Sequence, residues 1–302
     1  MRNNMKKTLL FSILSLFNFI VFGQNLPQGF ISSDGNVIYK VEKNNPNGEQ
    51  VKEGTLVFAR YQISLNDSVI YSNLNQASAT QPSFLVSKQN NMFKGDLMDA
   101  MLLMKDKEEF TFAFPKDSMA KIQPLPPDFE GYIYYRIKID SICSYDDFVK
   151  TQQAKADSLK NIEQEQIQQY LQKDNNTWQS AEGIYYRELA QGKGEKAQNG
   201  DKVKIHYTGQ LLSGQIFDTS VESIAKENNL YNPKRPYEPL EFQIGAGQMI
   251  PGFEIAAKQM NKGSKYIVLL PSNLAYGDRD MGVIAPYSPL IFTMELIDIT
   301  TK

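Results

Sequence analysis

Residues 203–220 read VKIHYTGQLLSGQIFDTS, and this stretch decides the fold. From Val203 to Tyr207 apolar and polar side chains alternate, which is the pattern of a β-strand with one buried face. Residues 209–214 begin and end with glycine and predict a turn, after which residues 216–217 begin a return strand. The stretch therefore predicts an antiparallel β-hairpin.

Further strands and one helix follow the hairpin. Residues 240–244 alternate again, and apolar runs at 266–270 and 290–299 are typical of buried strands. Between them, apolar residues at helical spacing over 253–260 predict an amphipathic helix, which Gly263 would end. One helix among antiparallel strands predicts an α+β domain in which the helix covers one face of the sheet.

The first half of the chain repeats this pattern. The apolar positions, the glycines and a proline recur in the same order, and a repeat of this length that occurs twice predicts a duplicated domain. The aligned segments are 48–61 with 194–207, 92–95 with 249–252, and 104–115 with 260–271.

A different composition separates the two copies. Residues 145–175 lack glycine and proline, are rich in Gln, Lys, Glu and Ala, and carry apolar residues at near-helical spacing, so they predict a long helix. This helix would be a solvated spacer, a homodimer contact or a surface that cradles client proteins. The predicted organisation is a first domain at 24–143, a helical linker at 144–178 and a second domain at 179–302.

The N-terminus has the pattern of a signal peptide. Lys6 and Lys7 precede an apolar run that ends at Gly23, and a cut before Gln24 would remove residues 1–23. The run is shorter than the ~20 residues of a membrane span; an uncleaved anchor is the alternative. We expect an exported protein, periplasmic or associated with the cell envelope, with no stable membrane insertion after cleavage.

The composition excludes several classes of function. A net charge of −2 without a long Lys/Arg run argues against a general nucleic-acid binder. One histidine and one cysteine cannot supply an ordinary zinc site, and the single Cys143 cannot form an internal disulfide. We expect His206 to have a surface or structural role, because it points away from Tyr207 on its strand.

Six motifs in the second copy together resemble one family, the FKBP-type peptidyl-prolyl cis/trans isomerases. They are His206-Tyr207-Thr208-Gly209, Gly214-Gln215-Ile216-Phe217-Asp218-Thr219-Ser220, Met249-Ile250-Pro251-Gly252-Phe253, Pro271, Ala275-Tyr276-Gly277 and Ile291-Phe292-Thr293-Met294-Glu295-Leu296. The layout of the whole chain also resembles exported bacterial members linked to gliding motility. The resemblance implies two domains, each a bent antiparallel sheet wrapped around a short helix, joined by the helical linker.

The resemblance also implies an apolar pocket with two polar members, Asp218 and Tyr276, as its catalytic residues. The substrate-binding residues would be Tyr207, Phe217, Leu240, Met249, Ile250, Phe253, Ile284 and Phe292. Two positions depart from the family pattern. Phe253 stands where tryptophan is usual at the pocket floor, and Leu240 stands where an aromatic residue is usual. The smaller floor is expected to loosen the fit to proline.

Such a pocket needs no reactive group. Rotation about an amide bond faces a barrier of ~18–20 kcal/mol from resonance, and X–Pro bonds populate both isomers but exchange over tens to hundreds of seconds. A dry pocket that fits the twisted bond better than the planar one lowers this barrier. No covalent bond breaks, so no nucleophile, metal or cofactor is expected. The Tyr276 hydroxyl and the Ile250 N–H would hold the substrate carbonyl, and Asp218 would support pocket tyrosines or would be only a turn residue.

The first copy lacks these residues. Ser72 stands where Asp218 stands, Tyr71 replaces Phe217, and no Ala-Tyr-Gly follows Pro115. We expect a folded but catalytically silent domain. Residues 219–239, an insertion relative to small family members, predict a short helix at the pocket edge that selects substrates or caps the sheet.

Two functions fit the sequence. The first is a foldase that isomerises proline bonds of exported polypeptides, with its active site in the C-terminal domain. The second is a non-catalytic chaperone or envelope scaffold that holds partners in the same pocket. They are distinguished by whether Asp218 and Tyr276 meet at one cavity.

Overall fold

The computed structural model describes residues 26–174 and 177–301. The predicted signal peptide, residues 1–23, lies outside the described residues. The chain divides into two compact units, one ending at Val149 and the other beginning at Lys150. No helix in the described ranges is both long enough and apolar enough to cross a membrane.

The first unit is a seven-stranded antiparallel sheet with short helices. Its elements are β1 (Ile31–Ser32), β2 (Ile38–Lys43), β3 (Thr55–Leu65), β4 (Ser68–Ser72), β5 (Phe84–Leu85), α1 (Leu97–Met101), β6 (Glu109–Pro115), α2 (Lys116–Met119) and β7 (Tyr132–Ser144), with a 3₁₀ turn at Lys88–Asn90. The strands lie in the order β1-β2-β6-β7-β3-β4, and β5 pairs with β3.

A long helix, α3 (Tyr145–Lys173), occupies the stretch predicted to be helical. Its start is set by Ser144, whose hydroxyl accepts a hydrogen bond from the Asp147 N–H at 3.0 Å. From Lys150 onward the helix belongs to the second unit, and Glu163 and Ile167 on it are buried. Glu163 and Ile167 therefore attach α3 to the second unit, although most of its other residues face solvent.

The second unit is again a seven-stranded antiparallel sheet. Its further elements are β8 (Gln179–Ala181), β9 (Ile184–Ala190), β10 (Lys202–Leu211), β11 (Ile216–Thr219), α4 (Glu222–Glu227), β12 (Leu240–Gln243), α5 (Pro251–Gln259), β13 (Lys265–Leu270) and β14 (Leu290–Thr300), with a 3₁₀ turn at Ser272–Leu274. The strands lie in the order β8-β9-β13-β14-β10-β11, and β12 pairs with β10. This order matches that of the first unit strand for strand.

The predicted hairpin is β10 and β11, and its register places the residues of the site. Gly209 lies opposite Asp218, and the pairing shifts after Gly209 at a bulge. The turn closes with the Leu211 N–H bonded to the Gln215 carbonyl at 2.9 Å, while Gly214 takes the positive φ of 90° that glycine tolerates best.

Helix α5 covers the sheet as predicted from its spacing. Pro251 occupies its first turn, where the missing N–H leaves no helical bond unmade. Phe253, Ala256 and Ala257 are buried at 1% exposure or less. Each fully buried large apolar side chain contributes roughly 1.5–3 kcal/mol, so this face fixes the helix on the sheet.

A buried ion pair supports the first unit. Arg60 on β3 donates from Nε and Nη2 to the two carboxylate oxygens of Asp140 on β7, each at 2.8 Å, and the two side chains are only 10% and 13% exposed. The Arg60 guanidinium also donates to the carbonyls of Leu74 and Gln76, which ties their loop to the sheet. Burial opposes ionisation of Asp140, but hydrogen bonds from Arg60 and the Ala79 N–H outweigh it and hold the pKa of Asp140 below its ordinary 3.8.

We expect Arg60→Ala to destabilise the first unit by about 3–5 kcal/mol, because it leaves the buried Asp140 carboxylate without its partner. Urea unfolding measures the loss, and Arg136→Ala is the matched control. Arg136 pairs with Glu109 on the same sheet but its side chain is 46% exposed, so its removal should cost only about 0–1 kcal/mol. Equal losses in the two variants would contradict the assignment.

The same pair gives the first unit a dependence on acid. Because the folded pKa of Asp140 is the lower one, its stabilisation is fully present above the unfolded value of 3.8 and is lost as the pH falls through the folded value. Arg60→Ala should remove this part of the acid dependence of stability.

Candidate active site

The floor of the candidate site is Phe253, in the first turn of α5. Its ring centroid lies 5.8 Å from that of Tyr207 and 5.4 Å from that of Phe292, with interplanar angles of 90° and 89°. Phe242 packs against it at 5.8 Å. Edge-to-face geometry of this kind adds about 0.5–1.5 kcal/mol per pair beyond area burial. Four rings from α5, β10, β12 and β14 thus form one aromatic cluster.

Gly209 allows the walls of the site to close. A Cβ atom at this position would lie 2.6 Å from Cζ of Phe217 and 2.9 Å from Cε1 of Phe292. Both distances are too short for real contacts. The glycine therefore lets the two rings, 5.8 Å apart and nearly perpendicular, meet over the strand.

The predicted lining residues belong to, or pack against, the apolar core of the second unit. Phe253, Ile284 and Phe292 are buried within the apolar core of the second unit. The partly buried residues packed against that core include Tyr207, Phe217, Leu240, Met249, Ile250 and Tyr276. Residues far apart in sequence thus contribute to one core.

Asp218 lies at the edge of this surface in a three-membered polar network. The Tyr207 hydroxyl donates to Oδ2 of Asp218 at 2.5 Å, and Nη1 of Arg235 donates to Oδ1 at 2.5 Å. Nη2 of Arg235 donates to the Tyr207 hydroxyl at 3.1 Å, which closes the triangle. The Thr219 N–H adds a bond to Oδ1 at 2.9 Å, so the carboxylate is fully engaged.

Arg235 is the member of this network that the sequence reasoning missed. It lies in the predicted insertion, after the helix α4 that the apolar pattern predicted, and it is the only arginine between residues 219 and 239. Its guanidinium also lies 5.7 Å from the centre of the Tyr237 ring, which stacks on Tyr231. One sequence signal could have identified Arg235: it is the single arginine of an insertion that directly follows the predicted carboxylate, Asp218.

The network changes the acidity of Tyr207 and Arg235. Burial, and then the hydrogen bond and charge of Asp218, raise the pKa of Tyr207 to about 12, while Arg235 opposes the rise. The Asp218 carboxylate raises the pKa of Arg235 above its ordinary value. Tyr207 therefore remains a protonated donor at neutral pH.

Tyr276 is carried by a tight turn after β13. The Ser272 carbonyl accepts hydrogen bonds from the N–H groups of Ala275 and Gly277, both at 2.8 Å, and Gly277 has a positive φ of 64°. The flap, residues 278–287, returns with a bond of 2.8 Å from the Tyr287 N–H to the Gly277 carbonyl. The turn and the flap thus form one hydrogen-bonded unit around Tyr276.

His206 has a structural contact. Its Nδ1 lies 3.0 Å from the Ser220 hydroxyl, which also accepts from the Tyr207 N–H at 2.8 Å. Across residues 26–174 and 177–301, no cluster of three or more His, Cys, Asp or Glu side chains could hold a metal ion.

The first unit presents different chemistry at the equivalent strands. Tyr71 and Ser72 on β4 are exposed, and the Ser72 hydroxyl only accepts from the Leu74 N–H at 3.4 Å. The Tyr71 ring lies 5.1 Å from that of Tyr61, the counterpart of Tyr207. A serine hydroxyl replaces the carboxylate, so the charged triangle of the second unit has no equivalent on these strands.

Comparison with known proteins identifies the family. The sequence model described as FKBP-type peptidyl-prolyl cis-trans isomerase matches residues 193–297. FK506-binding protein 2 of Yarrowia lipolytica is 41% identical over 106 residues, which is 35% of this chain and 65% of that protein. The peptidyl-prolyl cis-trans isomerase FPR2 of Saccharomyces cerevisiae is 41% identical over 106 residues, which is 34% of this chain and 69% of that protein.

A bacterial relative shows a similar match. The FKBP-type 22 kDa peptidyl-prolyl cis-trans isomerase of Escherichia coli is 37% identical over 118 residues, covering 39% of this chain and 50% of that protein. The chain thus spans between half and about two-thirds of the length of these relatives. It belongs to the FKBP-type peptidyl-prolyl cis-trans isomerase family, a family of enzymes.

We expect the two neighbours of Tyr207 to shift its pKa in opposite directions. Asp218→Asn should lower the pKa of Tyr207 from about 12, because it removes the charge that opposes tyrosinate. Arg235→Gln should raise it further. Titration of the tyrosine Cζ signals by NMR checks both, with Asp298→Asn, an exposed carboxylate on β14, as the control that leaves Tyr207 unchanged.

This tyrosine also contributes to stability with a defined sign. Because its folded pKa of about 12 exceeds the ordinary value of 10.0, its contribution is fully present below pH 10 and is lost as the pH rises through 12. We expect Tyr207→Phe to lose less stability than the wild type between pH 10 and pH 12. An equal decline in both proteins would contradict the assignment.

Proposed function

We propose that the second unit catalyses cis/trans isomerisation of X–Pro peptide bonds in polypeptide substrates, at the surface floored by Phe253. The observation that carries the proposal is the closed triangle of Tyr207, Asp218 and Arg235 at the edge of the aromatic cluster, in a chain of this family. Proline enters an apolar environment there, and charged groups lie at the rim and not on the floor.

The aromatic floor would act by desolvation and shape. The planar amide is the more polar form and is stabilised by water, so its transfer to a dry surface reduces its advantage over the twisted form. The rings of Tyr207, Phe253 and Phe292 provide rigid apolar faces for the pyrrolidine ring. Catalysis would follow from tighter binding of the twisted bond than of either planar isomer.

Two donors would hold the substrate carbonyl as the bond turns. Ile250 is the N-cap of α5, and the N–H of an N-cap has no acceptor within its own helix. The Tyr276 hydroxyl would be the second donor, held by the turn that starts at Ser272. Positioned donors of this kind stabilise charge that develops in a transition state without reorganising.

Asp218 would support the pocket and would not act as a base. Its carboxylate accepts from Tyr207, Arg235 and Thr219, and rotation about the C–N bond requires no proton transfer. The Asp218 carboxylate would orient the Tyr207 ring, which forms one wall of the site. It also keeps a charged pair at the rim that orders the insertion.

We propose that this activity assists the folding of exported proteins. The support is the signal-peptide pattern of residues 1–23, which would place the mature chain in the periplasm or cell envelope.

The proposed domains are 24–143, 144–178 and 179–302, and a homodimer through the 145–175 helix stays a prediction.

We propose that the first unit is a silent duplicate of the second. The support is the shared strand order of the two sheets, together with Ser72 in place of the carboxylate. This first unit would bind other proteins or act as a scaffold for them. Proline-containing polypeptides would be the partners of the whole chain.

The chain without residues 1–23 should accelerate isomerisation of a tetrapeptide with a Leu-Pro bond, and a macrolide ligand of the family should block it. Asp218→Ala and Tyr276→Phe should each lower kcat/KM about tenfold, equivalent to about 1.4 kcal/mol of transition-state stabilisation, without a change in circular dichroism. Full activity in both variants would refute the site. Binding of the peptide without acceleration would favour the non-catalytic chaperone or scaffold.

Phe253→Leu should lower kcat/KM more than Phe242→Leu, although both remove a buried ring from the same cluster. Phe253 contacts both Tyr207 and Phe292, so its loss should open the floor more than the loss of Phe242 does. Phe253→Trp should raise kcat/KM. It should also destabilise the second unit by about 1–3 kcal/mol, because the larger ring overpacks the core. Equal effects of the two leucine variants on kcat/KM would show that Phe253 contributes only to the core.

A further inference from the structure

Helix α3 sends one buried carboxylate into the second unit. Glu163 is 7% exposed, whereas the glutamate two positions on, Glu165, is exposed. Its Oε1 accepts a hydrogen bond from the Ser272 N–H at 2.5 Å, and its Oε2 accepts one from the Ser272 hydroxyl at 2.8 Å. Both oxygens of a buried side chain are therefore bonded to one residue of another element.

Ser272 is the residue on which the Tyr276 turn is built. It is 3% exposed and opens the 3₁₀ turn that follows β13, and its carbonyl accepts from both Ala275 and Gly277 at 2.8 Å. These two residues are the neighbours of Tyr276 in the chain. The placement of Ser272 therefore sets the path of the backbone that carries the Tyr276 hydroxyl.

The helix is held on the second unit by other contacts, so it can act as a fixed support. Ile167, one turn after Glu163, is 5% exposed. Near the end of the helix, Oδ2 of Asp174 accepts from Nε1 of Trp178 at 3.1 Å and from Nη2 of Arg187 at 3.3 Å. The Tyr170 ring packs edge-on against Trp178, with 6.1 Å between the centroids.

Open space lies between the helix and the turn. A cavity of about 590 Å³ lies between them, lined by Gln164 and Gln168 on α3 and by Asn273, Gly277 and Tyr287 on the turn and flap. Close-packed neighbours would hold the turn in place, but open space beside it allows it to shift. The two hydrogen bonds of Glu163 bridge the helix and the turn beside this space.

We infer that Glu163 is a positioning residue of the isomerase site, which acts through Ser272 on the placement of the Tyr276 hydroxyl. The inference rests on the proposed function of the second unit. Glu163 lies before residues 193–297, the segment that matches the family. Helix α3 is then part of the catalytic unit of this chain, and its removal with a boundary at residue 179 would impair the enzyme.

The test compares Glu163→Ala, Glu163→Gln and Glu165→Ala in the chain without residues 1–23. Glu163→Ala should lower kcat/KM for the Leu-Pro tetrapeptide about tenfold, mainly through kcat, since misplacement of a catalytic group by about 1 Å costs up to ~100-fold. Glu163→Gln keeps an acceptor for the Ser272 N–H and an amide partner for its hydroxyl, so it should restore most of the rate. Glu165→Ala, the exposed control on the same helix, should match the wild type.

A double-mutant cycle separates positioning from general destabilisation. If Glu163 acts through Tyr276, Glu163→Ala should have little further effect on kcat/KM in the Tyr276→Phe background. Additive losses in the double variant, or no loss in Glu163→Ala, would overturn the inference while the proposed function stands.

The proposed function fails in a different way, with a wild-type chain that does not accelerate isomerisation. In that case the affinity for the same tetrapeptide is the readout, measured by the NMR shifts of the pocket. A weaker affinity in Glu163→Ala but not in Glu165→Ala would support positioning of Tyr276 in a binding site. An unchanged affinity would overturn it.

Discussion

The second unit depends on the burial of the Phe253 ring between α5 and the sheet. This ring contacts Tyr207, Phe242 and Phe292 at centroid distances of 5.4–5.8 Å, and each neighbour comes from a different strand. The packing therefore fixes the helix and three strands at once. The cluster includes Tyr207, which is only partly buried, so the core and the candidate site share side chains.

Charge is kept at the edge of that surface. The side chains of Asp218 and Arg235 are 37% and 39% exposed, and they meet each other and Tyr207 where water still reaches them. A charge placed on the floor would have to lose its hydration, which is costly without a partner. The arrangement gives an apolar floor and a polar rim.

The two units show how one topology supports different chemistry. The β3 position equivalent to His206 is Arg60, which forms a buried ion pair with Asp140, and the position equivalent to Asp218 is Ser72. Both sheets keep the same strand order because alternating apolar residues fill both cores. Function lies in the few side chains grafted on the sheet, so a shared fold alone does not carry the activity.

The sequence by itself determined the hairpin of β10 and β11, the buried face of α5 and the helix α3, because periodicity reports which side of an element faces a core. Only the tertiary structure decided the partners of the polar groups. Arg235 reaches Asp218 across 17 residues of insertion, and Glu163 reaches Ser272 across 109 residues. A hydrogen bond depends on where two backbones meet in space, and no local pattern records that meeting.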